Sequence, residues 1–131
     1  MTLEQIKDWL KLAIDVGNGI AVGAIDGSKE RFIGVYAGKP SGRQRVCIGG
    51  PEATVFQSKA ITILVHWTLS SVKAEEKAQE VYDLFYASNN FEIDGAKVSM
   101  IDPGAGPVPA GKDEKGICEY VINAEITYKR S

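Results

Sequence analysis

Residues 60–85 read AITILVHWTLSSVKAEEKAQEVYDLF, and the change of period inside this stretch decides the fold. Ile61, Ile63, Val65, Trp67 and Leu69 recur every second residue, so they share one face of a pleated strand. Ala60, Thr62, Leu64, His66 and Thr68 take the other, mixed face. After Ser70-Ser71 the period lengthens. Ala74, Ala78, Val81, Tyr82 and Phe85 fall on one helical stripe. A strand that passes its chain so quickly to a helix points to a helix lying back on its own sheet.

Upstream, Leu3, Ile6, Leu10, Ala13 and Ile14 form a second helical stripe, with Trp9 beside it. Thr2 and Gln5 match a capping box, and Gly17 reads as the stop, so the first helix is expected over Leu3–Val16. Three short strands follow, Ile20–Ile25, Arg31–Tyr36 and Arg45–Ile48. The Asp26-Gly27-Ser28 turn favours a hairpin between the first two. Composition makes Gly38–Arg43 a loop.

Downstream, Asn89-Asn90 closes the second helix. Phe91–Ile93 and Lys97–Ile101 flank Asp94-Gly95, a strong tight-hairpin signal. The segment Asp102–Gly116, DPGAGPVPAGKDEKG, has a Pro and Gly density that excludes helix or central strand. In the last stretch Cys118, Tyr120, Ile122, Ala124, Ile126 and Tyr128 alternate with Glu119, Val121, Asn123, Glu125, Thr127 and Lys129, as in a half-buried strand. The outline α-β-β-β-β-α-β-β-β gives an α+β fold: an antiparallel-rich β-sheet with two helices packed on one face, in one domain spanning 1–131.

Composition narrows the function. With 131 residues and a net charge of -2, the chain can bury one core and carries no overall electrostatic footprint for nucleic acid or anionic membrane. Cys47 and Cys118 are too far apart for a CxxC motif or a zinc ligand set, and each is read as a buried thiol. The N-terminal MTLEQIKDWLKL lacks a signal-peptide hydrophobic region, and no apolar run approaches the ~20 residues of a membrane helix. The expectation is a soluble protein made in a reducing cytoplasm.

Candidate chemistry is thin. Gly106–Lys112, GPVPAGK, has the spacing of a phosphate-binding loop. However, Asp113 stands where a hydroxyl residue should follow, Pro107 and Pro109 lack amide hydrogens, and no helix is expected next. Gly17-Asn18-Gly19 with Gly23 misses the dinucleotide fingerprint by one residue and follows a helix rather than a strand. His66, the one histidine, is read as a structural or interface residue, and any arrangement with Cys47 or Cys118 is left to the structure. Glu119 and Glu125, six positions apart on a strand, are about 20 Å apart, too far for an acid–base pair. They are read as solvated charges or as partners of a neighbouring Lys or Arg. Lys39, Arg43 and Arg45 make a small basic loop without interleaved aromatics. No catalytic, cofactor or metal residue is assigned.

The order and texture of the whole chain carry a resemblance. It runs from a short amphipathic helix through RFIGVYAG and RVCIGG, the strand ITILVHWTLS with KAEEKAQEVYDLF, and the final ICEYVINAEITYKR. This pattern resembles the minor capsid proteins of tailed bacteriophages and prophages that act as tail terminators at the head–tail junction. The resemblance implies a structural virion protein without catalysis or cofactor. It implies a homo-oligomeric ring, six subunits in characterised members, that caps the tail tube and meets the head connector. It implies no membrane and no sequence-specific nucleic-acid partner. The alternatives are another connector, such as a head-side stopper, or a small ligand-binding or enzymatic domain. The candidate interface residues, inferred from this sequence alone, are Lys39, Arg43, Arg45, Pro103, Gly104, Pro107, Pro109, Lys112, Glu119 and Glu125.

Overall fold

The computed structural model describes residues 1–25, 29–39 and 56–129. Helix α1 (Leu3–Ala13) is followed by strands β1 (Gly19–Val22), β2 (Phe32–Ala37) and β3 (Phe56–His66). Then come helix α2 (Ser71–Ala87) and strands β4 (Asn89–Ile93), β5 (Ala96–Asp102), β6 (Val108–Lys112) and β7 (Cys118–Lys129). The described strands form one mixed, mostly antiparallel sheet in the order β1-β2-β3-β7-β5-β4, with β6 pairing β7 off that path. The strand expected over Arg45–Ile48 and the turn at 26–28 lie outside the described residues.

The spine is the pairing of β3 with β7, continuous from Phe56↔Lys129 to His66↔Glu119. The register sets Ile61 opposite Ala124, Ile63 opposite Ile122 and Val65 opposite Tyr120, so the apolar faces of both strands coincide. Ile61, Ile63, Val65 and Trp67 are buried there, as their period requires. Leu69 is 60% exposed instead, because the chain leaves the sheet at His66 and its fixed alternation ends. Both helices close this face. Ala74, Ala78, Val81 and Phe85 of α2 and Ile6 and Leu10 of α1 join the sheet residues in one buried cluster. Tyr82 is only half-buried, and its hydroxyl donates to the Gly104 carbonyl. Helix α2 lies over β3, β7 and β5, whereas α1 touches β1 and β2 at one end of the sheet and β4 at the other. The sheet therefore curls around its helices. Trp9 fixes the α1 side, stacking on Phe91 at 5.0 Å and Phe85 at 6.2 Å.

Helix α1 begins on the expected capping box but ends at Ala13, short of Val16. The Asp15 carboxylate accepts the Gly17 amide at 2.9 Å, a local turn that competes with another helical turn. Ala13 is consequently exposed, and Val16 rather than the helix enters the core. Gly17, at φ +69, is the glycine of that turn rather than a helix cap.

The hairpin expected between β1 and β2 is not formed: the two strands are parallel, from Gly19↔Phe32 to Val22↔Val35. The cause is where α1 releases the chain. Asn18 lies beside the start of β2, its amide donating to the Arg31 carbonyl at 2.6 Å. From that point β1 can only run in the direction of β2, ending where the Gly23 amide meets the Val35 carbonyl. The Asp94-Gly95 hairpin does form, with both residues at positive φ (47° and 85°), as a type I′ turn requires.

Asp102–Gly116 is no plain loop. Val108–Lys112 pairs with β7 as an exposed strand. It occupies the same edge of β7 as β5, farther toward the N-terminal end of β7. Pro109 is tolerated on an edge strand, and a register shift between Pro109 and Gly111 absorbs the irregularity.

Two substitutions test this architecture. Val65→Asp places an unpaired charge in the core, and we expect a loss of roughly 3–5 kcal/mol. A thermal melt within a degree or two of wild type would show that the strand faces the other way. Gly17→Ala should cost roughly 2 kcal/mol. Its φ disfavours a side chain, and a Cβ there would sit 2.6 Å from the Arg31 carbonyl oxygen. Denaturant titration reads this directly.

Candidate functional site

The face of the sheet turned away from the helices carries most of the polar side chains. Register brings Thr62 against Asn123, Ala60 against Glu125 and His66 against Glu119. The Thr62 hydroxyl donates to the Asn123 side chain at 2.8 Å. On β2, Tyr36 pairs with Thr62 and Phe32 with His66. Burial, and then the nearby Glu119 charge, push the Tyr36 phenol up from its ordinary value.

The candidate residues fall into two groups on this face. Lys39, Gly104 and Glu125 line one cleft of about 460 Å³, together with Thr62, Asp102 and Asn123. Asp102 and Glu125 are directly opposite across β5 and β7, so the cleft holds two adjacent carboxylates and one lysine. Gly104, at φ +70, turns the chain here with its amide on the Asp102 side chain. Pro109 and Lys112 lie farther along, on exposed β6, near Glu119. Pro107 is half-buried, and Pro103 is buried, placing it beneath the surface. Arg43 and Arg45 lie outside the described residues, as does Cys47.

Glu119 is not a free surface charge, nor is its partner Lys or Arg. Its Oε2 lies 2.9 Å from Nδ1 of His66, which is 1% exposed. The other ring nitrogen, Nε2, is 3.6 Å from Asp113 Oδ2 and has no hydrogen-bond partner among the described residues. A buried imidazole between two carboxylates is an arrangement the sequence reading did not contain. The His66↔Glu119 contact follows from the register of β3 on β7, which alternation alone leaves open by steps of two.

This trio lacks a nucleophile. Cys118 precedes Glu119 on β7 and so points to the helix face. Its thiol is buried and approaches the Leu69 carbonyl at 3.8 Å. His66 is too enclosed to meet a dissolved substrate, and it does not line the clefts around Glu125, Lys129 or Trp9. Among the described residues no group of three or more His, Cys, Asp or Glu is placed to hold a metal ion. No helix among them is long and apolar enough to cross a membrane. The GPVPAGK segment runs out as edge strand β6, which spreads its backbone groups along a line rather than around a phosphate.

Comparison with known proteins gives this fold a lineage. The pattern of the family described as "Bacteriophage tail terminator protein" matches residues 11–130, and the chain belongs to that family. No curated protein matches the chain. A solved structure shares the fold at TM-score 0.52 and 15% identity, covering 98% of this chain and 89% of its own.

The extended course of β6 generates one prediction. Lys112→Ala should leave thermal stability within about 0.5 kcal/mol of wild type, as for an exposed side chain without a special contact. Calorimetry with ATP or GTP should show no binding to either protein. Micromolar binding by wild type that vanishes in the variant would restore the phosphate-loop reading.

Proposed function

We propose that this chain assembles with copies of itself into a ring, of six subunits as the resemblance implies, at the phage head–tail junction. There it caps the finished tail tube and meets the head connector, after synthesis in the host cytoplasm. The observation that carries this reading is the family match over nearly the whole chain. Tail terminators are structural proteins, in keeping with an absence of catalysis here. The whole of 1–131 would act as one terminator domain.

The surfaces support this role. Among the described residues β1 and β4 end the sheet and β6 is paired on one side only, which offers strand edges for a ring contact. We assign the subunit or partner contact to β6 and the open face beside it. Val108, Pro109 and Lys112 are exposed there, and Gly104 and Glu125 lie beyond. The basic Lys39–Arg45 segment is assigned to the same role. Pro109 removes one amide from β6, which limits pairing of that edge with unintended strands.

The test shortens the chain at this surface. Replacing Gly104–Gly111 by a short Gly-Ser linker deletes most of β6 but leaves the path β1-β2-β3-β7-β5-β4 in place. The variant should fold, and light scattering with negative-stain imaging should show weaker ring formation. Tail completion is the deciding assay, since a terminator can stay monomeric until it meets the tube. Infectious tails at wild-type yield would move the contact surface elsewhere on the sheet.

A further inference from the structure

The turn joining β6 to β7 is built on Asp113 and tied to the sheet by His66. One oxygen of Asp113, Oδ1, accepts the amides of Lys115 and Ile117, each at 2.9 Å. Its backbone closes the same turn through Asp113 N to the Ile117 carbonyl and Gly116 N to the Asp113 carbonyl, both at 3.0 Å. The other oxygen, Oδ2, faces His66 Nε2 at 3.6 Å. Across the ring, Nδ1 meets Glu119 on β7 at 2.9 Å. A carboxylate only accepts, and a neutral imidazole has a single N–H. The neutral ring therefore satisfies one carboxylate and leaves the other facing a bare nitrogen. Only the imidazolium carries an N–H toward each.

We propose that His66 is a proton-operated latch on the β6–β7 turn, tightening the edge strand β6 when its ring is charged and loosening it when the ring is neutral. As a regulator of assembly it rests on the reading of β6 as a contact surface; as a local device it stands without that reading. The titratable groups facing the ring are Glu119 of β7, Asp113 of the turn and, through Glu119, the Tyr36 phenol of β2. Phe32, opposite on β2, contributes no charge. A charged ring turns an N–H toward both carboxylates and a neutral ring toward one, so the latch loosens as the ring loses its proton.

Amide exchange by NMR on the full chain reads the latch directly, with intrinsic exchange chemistry corrected. From pH 5.5 to 8, the Lys115 and Ile117 amides should lose about tenfold protection or more, the worth of one hydrogen bond to a charged group. The Ile63 amide in the spine should not change. Nitrogen shifts of His66 should show two N–H groups at the lower pH and one at the higher. His66→Gln should abolish the pH dependence. Asp113→Asn keeps an acceptor for the turn and removes the facing charge; it should flatten the profile even if the histidine variant fails to fold. Protection that ignores the His66 titration, or an unchanged profile in Asp113→Asn, would overturn the proposal. A turn that responds while ring formation does not would leave the latch standing and remove β6 from the assembly surface.

Discussion

The antiparallel pairing of β3 with β7 is the constraint on which the remaining structure depends. Its register runs unbroken from Phe56↔Lys129 to His66↔Glu119. A slip of one residue would turn Ile61, Ile63 and Val65 away from Ile122, Ala124 and Tyr120 and empty the core. The same register fixes everything at the flanks. β2 docks on the far side of β3, whereas β5 and β6 share the far side of β7. Burial of Phe85, Ile6 and Leu10 against this spine, roughly 1.5–3 kcal/mol for each side chain, then holds both helices on one face.

Elements that carry their own periodicity were legible in the sequence. The stripe through Ala74, Ala78, Val81 and Phe85, the capping box of Thr2 and Gln5 and the Asp94-Gly95 turn are local signals, and each has a local cause. What escaped was decided at a distance. Asp26-Gly27-Ser28 announced a change of direction, but the point at which α1 delivers Asn18 beside Arg31 made β1 parallel to β2. Pro and Gly in Asp102–Gly116 argued correctly against a central strand and said nothing against an edge strand. Asp15 shortened α1 through a side-chain bond that a count of apolar positions does not contain.

The candidate residues fared the same way. Glu119 and Glu125 were correctly placed on the face away from the core, yet their partners are set by neighbouring strands. Glu119 meets His66, while Glu125 stands opposite Asp102 in the cleft beside Lys39. Asp113, which organises the turn and faces His66, was visible in sequence only as the wrong residue for a phosphate loop. A side chain that works through the register of two strands seventy or fewer positions away leaves no mark in its own neighbourhood.

This division of labour fits a member of a structural phage-tail family. The helix face is spent on one core, while His66, the buried polar side chain among the described residues, lies on the other face. The opposite face keeps polar groups, and among the described strands the free edges lie at β1, β4 and β6. Of these, β6 is the element least committed to the core: every residue of it is exposed, and among the described strands it pairs with β7 alone. Stability is lowest where an element buries least, so β6 can adjust without disturbing the spine that positions it. A rigid sheet carrying one adjustable edge would suit the ring proposed above: the scaffold would stay common to every copy, and the edge would accommodate the neighbour.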